Sequence, residues 1–137
     1  MQTAHPKNSN VSRPHPALID LRNQFASLRM LKEGWDGHDA IPVNPSVLSH
    51  ATACLEFVLS AKRHVPSPHV APIADGGVQA EWYGDRYRFE IYFDEDGEIA
   101  AWSENLVTGV EMEAEGTDAI QMLAAWTSNL ELDSLTA

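Results

Sequence analysis

The residues best suited by type and spacing to do chemistry are Trp35-Asp36-Gly37-His38-Asp39. Asp36, His38 and Asp39 offer oxygen and nitrogen donors that suit a divalent metal, and a metal-dependent enzyme built on this loop is one reading. The spacing matches no recognised ligand pattern, and a closed site needs more ligands. The competing reading makes Asp36 and Asp39 turn residues whose carboxylates bond backbone amides, with Trp35 anchoring the loop against the core. On that reading the chain needs neither metal nor cofactor. His64 and His69 flank a proline-bearing turn and could add a ligand or a base, although such imidazoles are ordinarily solvated. Cys54, the single cysteine, falls on an apolar helix stripe and reads as a small buried hydrophobe rather than a nucleophile. No nucleophile elbow or triad frames the serines, and Gly76-Gly77 opens no helix, so it is not a phosphate loop. The expectation is a protein that is not an enzyme.

A second constellation follows from β periodicity. Val78, Ala80 and Trp82 alternate with Gln79, Glu81 and Tyr83; Tyr87, Phe89, Ile91 and Phe93 alternate with Arg86, Arg88, Glu90 and Tyr92. Gly84-Asp85 suits a two-residue type II′ loop with Gly84 at positive φ. The predicted register pairs Trp82 with Tyr87, Ala80 with Phe89 and Glu81 with Arg88, an opposite-charge pair. Asp94-Glu95-Asp96-Gly97 forms the next loop, pairing Phe93 with Ile99 and Ile91 with Ala101. One face of this sheet then carries Tyr83, Tyr92 and Trp102 among Glu81, Glu90, Glu98, Glu111, Glu113 and Glu115. Aromatic rings surrounded by carboxylates suit a partner presenting Arg and Lys, through cation–π contact and ion pairing. The candidate partner-binding residues are Tyr83, Tyr92, Trp102, Glu90, Glu111, Glu113 and Glu115. The alternative is that the C-terminal helix covers Tyr92 and Trp102, leaving the glutamates as a solvated rim.

The elements that must position these residues can be taken in order. Residues 1–15 are polar, proline-bearing and aperiodic, the pattern of a disordered tail. A single domain is expected over 16–131. Pro16 opens a helix over 16–33 with Leu18, Leu21, Phe25 and Leu28 as its stripe and Gly34 as its stop. Asn44-Pro45 opens a second helix to about residue 62, with Val47, Ala51, Cys54, Leu55 and Val58 buried. A strand over 69–73 contains Pro72, which places it at a sheet edge. Strands follow over 78–83, 86–93, 98–103 and 110–115, the last with Val110, Met112 and Ala114 inward and glutamates outward. Thr117 caps a last helix whose inward residues are Ala119, Met122, Leu123, Trp126 and Leu130, with fraying after Glu131. The fold class is α+β: two N-terminal helices, an antiparallel meander of four to five strands, and a C-terminal helix.

Charge narrows the function classes. The net charge is −11, but through Arg88 the chain holds all 9 of its Lys and Arg and 8 of its 20 acidic residues. The other 12 acidic residues follow, with no Lys, Arg or His among them. Direct nucleic-acid binding needs a basic footprint and is disfavoured. No apolar run is long enough to span a membrane, and the N-terminus lacks the apolar core of a secretory signal, so a cytoplasmic setting is expected.

Two stretches resemble a group of short bacterial proteins to which no activity is assigned. One is the Gly34-Trp35-Asp36-Gly37 loop ahead of a helix. The other is Pro68-x-Val70-x-Pro72 followed by Asp75-Gly76-Gly77-Val78-Gln79-x-Glu81-Trp82. The resemblance covers residues 28–102 and implies cytoplasmic accessory proteins rather than a mechanism. Taken together, these readings predict an acidic protein-binding module that occupies a basic, nucleic-acid-binding surface of a partner protein. An antitoxin, an immunity protein or a phage-type inhibitor are its concrete forms, and a small single-partner chaperone is the alternative. Homodimerisation through an open edge strand is compatible with either.

Overall fold

The computed structural model describes residues 15–136, with side chains as far as Leu132. The tail expected over 1–15 lies outside the described residues except for His15, which is buried. Its Nε2 sits 2.9 Å from the Leu59 carbonyl oxygen, which can only accept, so Nδ1 is left to accept from the Leu18 N–H at 3.4 Å. His15 is thus the N-cap of helix α1 (Pro16–Arg29) rather than tail. Helix α1 ends four residues short of the expected stop. Gly34 closes the following loop instead, donating to the Ala40 carbonyl at 2.7 Å.

Helix α2 (Pro45–Leu59) starts as the Asn44-Pro45 pair requires. The Asn44 side chain accepts from the Ser46 N–H, and proline occupies the first turn, where no N–H is needed. Five strands follow, β1 (His69–Pro72), β2 (Val78–Tyr83), β3 (Tyr87–Phe93), β4 (Ile99–Asn105) and β5 (Glu111–Glu115), then helix α3 (Thr117–Thr136). The strands form one antiparallel meander in the order β1-β2-β3-β4-β5, with β1 at an edge as Pro72 demands. Helix α3 runs past Glu131 to Thr136, through the stretch expected to fray.

The β3–β4 register is the expected one, with Phe93 opposite Ile99 and Ile91 opposite Ala101. The β2–β3 register is not: Trp82 faces Phe89, Ala80 faces Ile91 and Glu81 faces Glu90, two residues away from the expected pairing. Gly84 does not take a positive φ. It donates to the Tyr87 carbonyl, so Asp85-Arg86 form the turn. Gly84 is required for another reason: a Cβ there would lie 2.7 Å from Tyr87 Cζ. The Tyr87 ring covers the glycine and meets Trp126 at 5.2 Å. Trp82 meets Phe89 edge-on at 6.0 Å, and Trp126 stacks on Phe89 at 4.6 Å. This aromatic cluster sets the register. A shift by two leaves every side chain on its expected face, because strand side chains repeat every two residues.

All three helices lie on one face of the sheet. The core there joins Leu21, Phe25, Leu55 and Leu59 of the first two helices to Val78, Trp82, Phe89, Ile91 and Phe93, with Ala119 and Leu123 of α3. Trp126 contacts Trp82, Tyr87 and Phe89, which puts α3 on this face too. The alternative in which α3 covers Tyr92 and Trp102 therefore fails. Beyond Ala114 the inward side of β5 is poorly covered: Met112 is 58% exposed and Val110 59%. Among the described residues no helix is long and apolar enough to cross a membrane.

Candidate functional site

Strand pleating turns Gln79, Glu81 and Tyr83 of β2 away from the helices, along with Arg88, Glu90 and Tyr92 of β3. On β4 and β5 the same alternation adds Trp102 and Glu104, then Glu111, Glu113 and Glu115. All seven candidate partner-binding residues thus share one face, on which no described helix packs. Glu98, expected among them, sits instead in the β3–β4 loop, where its N–H donates to Asp94 Oδ1. Glu104 joins the face because β4 continues to Asn105, beyond its expected end at Ser103.

Glu90 is the centre of the face. Its two carboxylate oxygens accept hydrogen bonds from the Tyr83 and Tyr92 hydroxyls. Glu81, directly across from Glu90, accepts from the Gln79 side-chain amide at 3.5 Å. Two like charges thus stand opposite one another, each with its own donor, where the sequence suggested Glu81 against Arg88. Arg88 instead lies over the Tyr83 ring, 5.6 Å from its centroid. Trp102 Nε1 donates to Glu111 Oε1 at 2.8 Å. The hydrogen bond to Glu90 pushes the Tyr83 hydroxyl well above the usual tyrosine range. Burial, then the same carboxylate, pushes Tyr92 up to about 12. Both phenols therefore remain donors at neutral pH. The face presents six glutamates beside Arg88 and His69, with the Tyr83, Tyr92 and Trp102 rings hydrogen-bonded to glutamates among them.

Of the other candidates only His69 joins this face, standing opposite Glu81 at the start of β1. Asp36 Oδ1 accepts from the N–H groups of His38 at 2.8 Å and Ala40 at 3.2 Å, so this carboxylate is a turn residue. His38 and Asp39 are exposed. Trp35 is half-buried rather than a core anchor, and its Nε1 donates to the Ile41 carbonyl at 2.8 Å. The His64 backbone N–H donates to Glu131, and His69 is exposed at the start of β1. Asp94, Asp96 and Glu98 bring carboxylate oxygens within 4.8 Å of one another, but Asp94 Oδ1 is engaged by the Asp96 and Glu98 N–H groups.

Cys54 is half-buried instead of buried, at a cleft of about 540 Å³ between α2, α3 and the β3–β4 loop. His50, four residues earlier on the same helix face, places Nε2 3.9 Å from its sulfur. Burial pushes the Cys54 thiol up, which keeps it protonated and a poor nucleophile. Sequence reasoning missed this cleft, although the spacing of His50 and Cys54 was its signal.

Compared with protein-family models, with curated proteins and with solved structures, the chain matches none.

Proposed function

We propose that the chain is a non-enzymatic, acidic protein-binding module that works in the cytoplasm by occupying a basic surface of a partner protein. A surface that otherwise binds nucleic acid is the natural target, because it presents Arg and Lys at the density this face presents carboxylates. Antitoxin, immunity and inhibitor proteins are the concrete forms of such an activity. The observation that carries the reading is the uncovered sheet face, where six glutamates surround Tyr83, Tyr92 and Trp102. Carboxylates clustered on one face raise self-repulsion, and a cationic partner relieves it. The aromatic rings add flat area for guanidinium and ammonium groups. The metal-loop reading loses ground, since the Asp36 carboxylate is already engaged by two backbone amides.

The test is titration of the protein with an arginine-rich peptide and with a glutamate-rich peptide of equal length. Binding of the first alone, weakening steeply as salt rises, is the expected result. Equal binding of both, or affinity that ignores salt, refutes the proposal.

A further inference from the structure

The two edges of the sheet are treated in opposite ways. In β1 the Ile73 N–H bonds the Gly77 carbonyl, and alternate residues before it turn their backbone toward β2 in the same way. The backbone groups of Val70 and Pro72 therefore point away from the sheet, and Pro72 has no N–H to offer. The Val70 N–H is taken by Gln24 Oε1 at 2.7 Å, while Gln24 Nε2 donates to the Pro68 carbonyl at 2.7 Å. A side-chain amide on α1 thus stands where another strand would lie, and this edge is closed.

The β5 edge has no such device. The Asn105 N–H bonds the Val110 carbonyl and the Gly116 N–H bonds the Ile99 carbonyl. Alternation then turns the backbone of Val110, Met112 and Ala114 toward β4. The N–H and C=O groups of Glu111, Glu113 and Glu115 point away from the sheet, and no described strand pairs with them. Their side chains lie on the acidic face. On the opposite side, Val110 and Met112 present exposed apolar surface beside the same edge.

We propose that β5 is a docking edge that binds an extended segment of the basic partner as a sixth strand, with basic residues alternating with apolar ones. The proposal rests on the reading above and deepens it by naming the binding mode. Period-two geometry supplies the pattern. Docked residues on the acidic face stand beside Glu111, Glu113 and Glu115 and must be Lys or Arg. Those between them lie beside Val110 and Met112 and must be apolar. Charge also decides against a second copy as the occupant. Antiparallel β5–β5 pairing about Glu113 would set Glu113 against its own counterpart and Glu111 against the copy's Glu115, three like-charge pairs in a row. A strand of alternating Lys and Val meets the same glutamates with opposite charge.

The probe is an end-blocked peptide of alternating lysine and valine, compared with an isomer of the same composition that groups its lysines at one end. Two further versions carry backbone N-methyl groups, one on the lysines and one on the valines. The alternating peptide should bind more than about tenfold tighter than its isomer, since several main-chain hydrogen bonds are gained. Amide exchange at Glu111, Glu113 and Glu115 should slow on binding. One of the N-methylated versions should lose that advantage, and which one it is gives the strand direction. Glu113→Pro removes an outward N–H while leaving the β4 ladder whole, so it should weaken binding more than Glu113→Gln does. Equal binding of alternating, grouped and N-methylated peptides, with no change in amide exchange, overturns strand addition while leaving the acidic face as the binding surface. Binding of none of them at low salt overturns both. A dimer of the free protein held through these same amides at neutral pH also overturns the proposal.

Discussion

Replacing Glu111, Glu113 and Glu115 together by Gln separates a working acidic face from a merely solvated one. Two unit charges about 7 Å apart in water interact by about 0.6 kcal/mol, so three such pairs supply about 1.8 kcal/mol before screening. At 0.01 M salt the Debye length of about 30 Å removes roughly a fifth of this, and about 1.4 kcal/mol remains, or about tenfold in affinity. Near 0.15 M, with a Debye length of about 8 Å, the same loss shrinks to about three- to fourfold. The fold should not suffer. After Glu111→Gln the side chain keeps a carbonyl oxygen for Trp102 Nε1, and the like-charge pair of Glu104 with Glu111 is relieved. The melting temperature should therefore hold or rise slightly. The assay is the association rate and affinity for an arginine-rich peptide across a salt series, with thermal melting as the control. A triple variant that matches the parent at low salt refutes the reasoning, because the charges would then contribute nothing to recognition.

Gly84→Ala should lower stability by about 1–3 kcal/mol, since a methyl group would push the Tyr87 ring off Trp126; an unchanged denaturant midpoint contradicts this account of the register. Gln24→Ala should cost about 1–3 kcal/mol by leaving the Val70 N–H unpaired, and should raise self-association now that the β1 edge is open; sedimentation of a monomer as stable as the parent counts against it. High pH should unfold the protein earlier than its core predicts. The fold favours the neutral phenols, so their contribution is complete below the unfolded tyrosine value of about 10 and is lost as pH rises toward about 12 for Tyr92. Discounted for exposure, Tyr92 contributes about 1 kcal/mol, and Tyr92→Phe should flatten the stability profile between about pH 10 and 12.

Element types were legible because each rests on local chemistry. Asn44-Pro45 announces a helix start whatever surrounds it, and Gly97 fixes the β3–β4 loop with its positive φ. The β2–β3 register was not legible, because it turns on contacts distant in sequence. Tyr87 packs over Gly84 only when Trp126, 39 residues later, holds its ring. The sequence's best charge pair, Glu81 with Arg88, loses to that packing. A surface ion pair is worth at most about 1 kcal/mol, whereas misplacing a buried aromatic cluster costs about 3–5 kcal/mol.

The acidic face survived this error for a geometric reason, and the same reason explains why it stands open. A shift of two residues changes each cross-strand partner but no side chain's face. Tyr83, Glu90 and Tyr92 therefore came together as the alternation implied, though as a hydrogen-bonded set that the sequence did not show. What remained undecided was where α3 would pack. Trp126 settles it, since its large apolar ring finds Trp82, Tyr87 and Phe89 on one side of the sheet, whereas the rings on the other side, Tyr83, Tyr92 and Trp102, are each hydrogen-bonded to a glutamate. The clustering of glutamates on alternate positions of β5 thus does two things. It makes that face a poor seat for a tryptophan-bearing helix, and on the docking proposal it sets the outward amides of Glu111, Glu113 and Glu115 beside charges that would oppose a second copy of the chain.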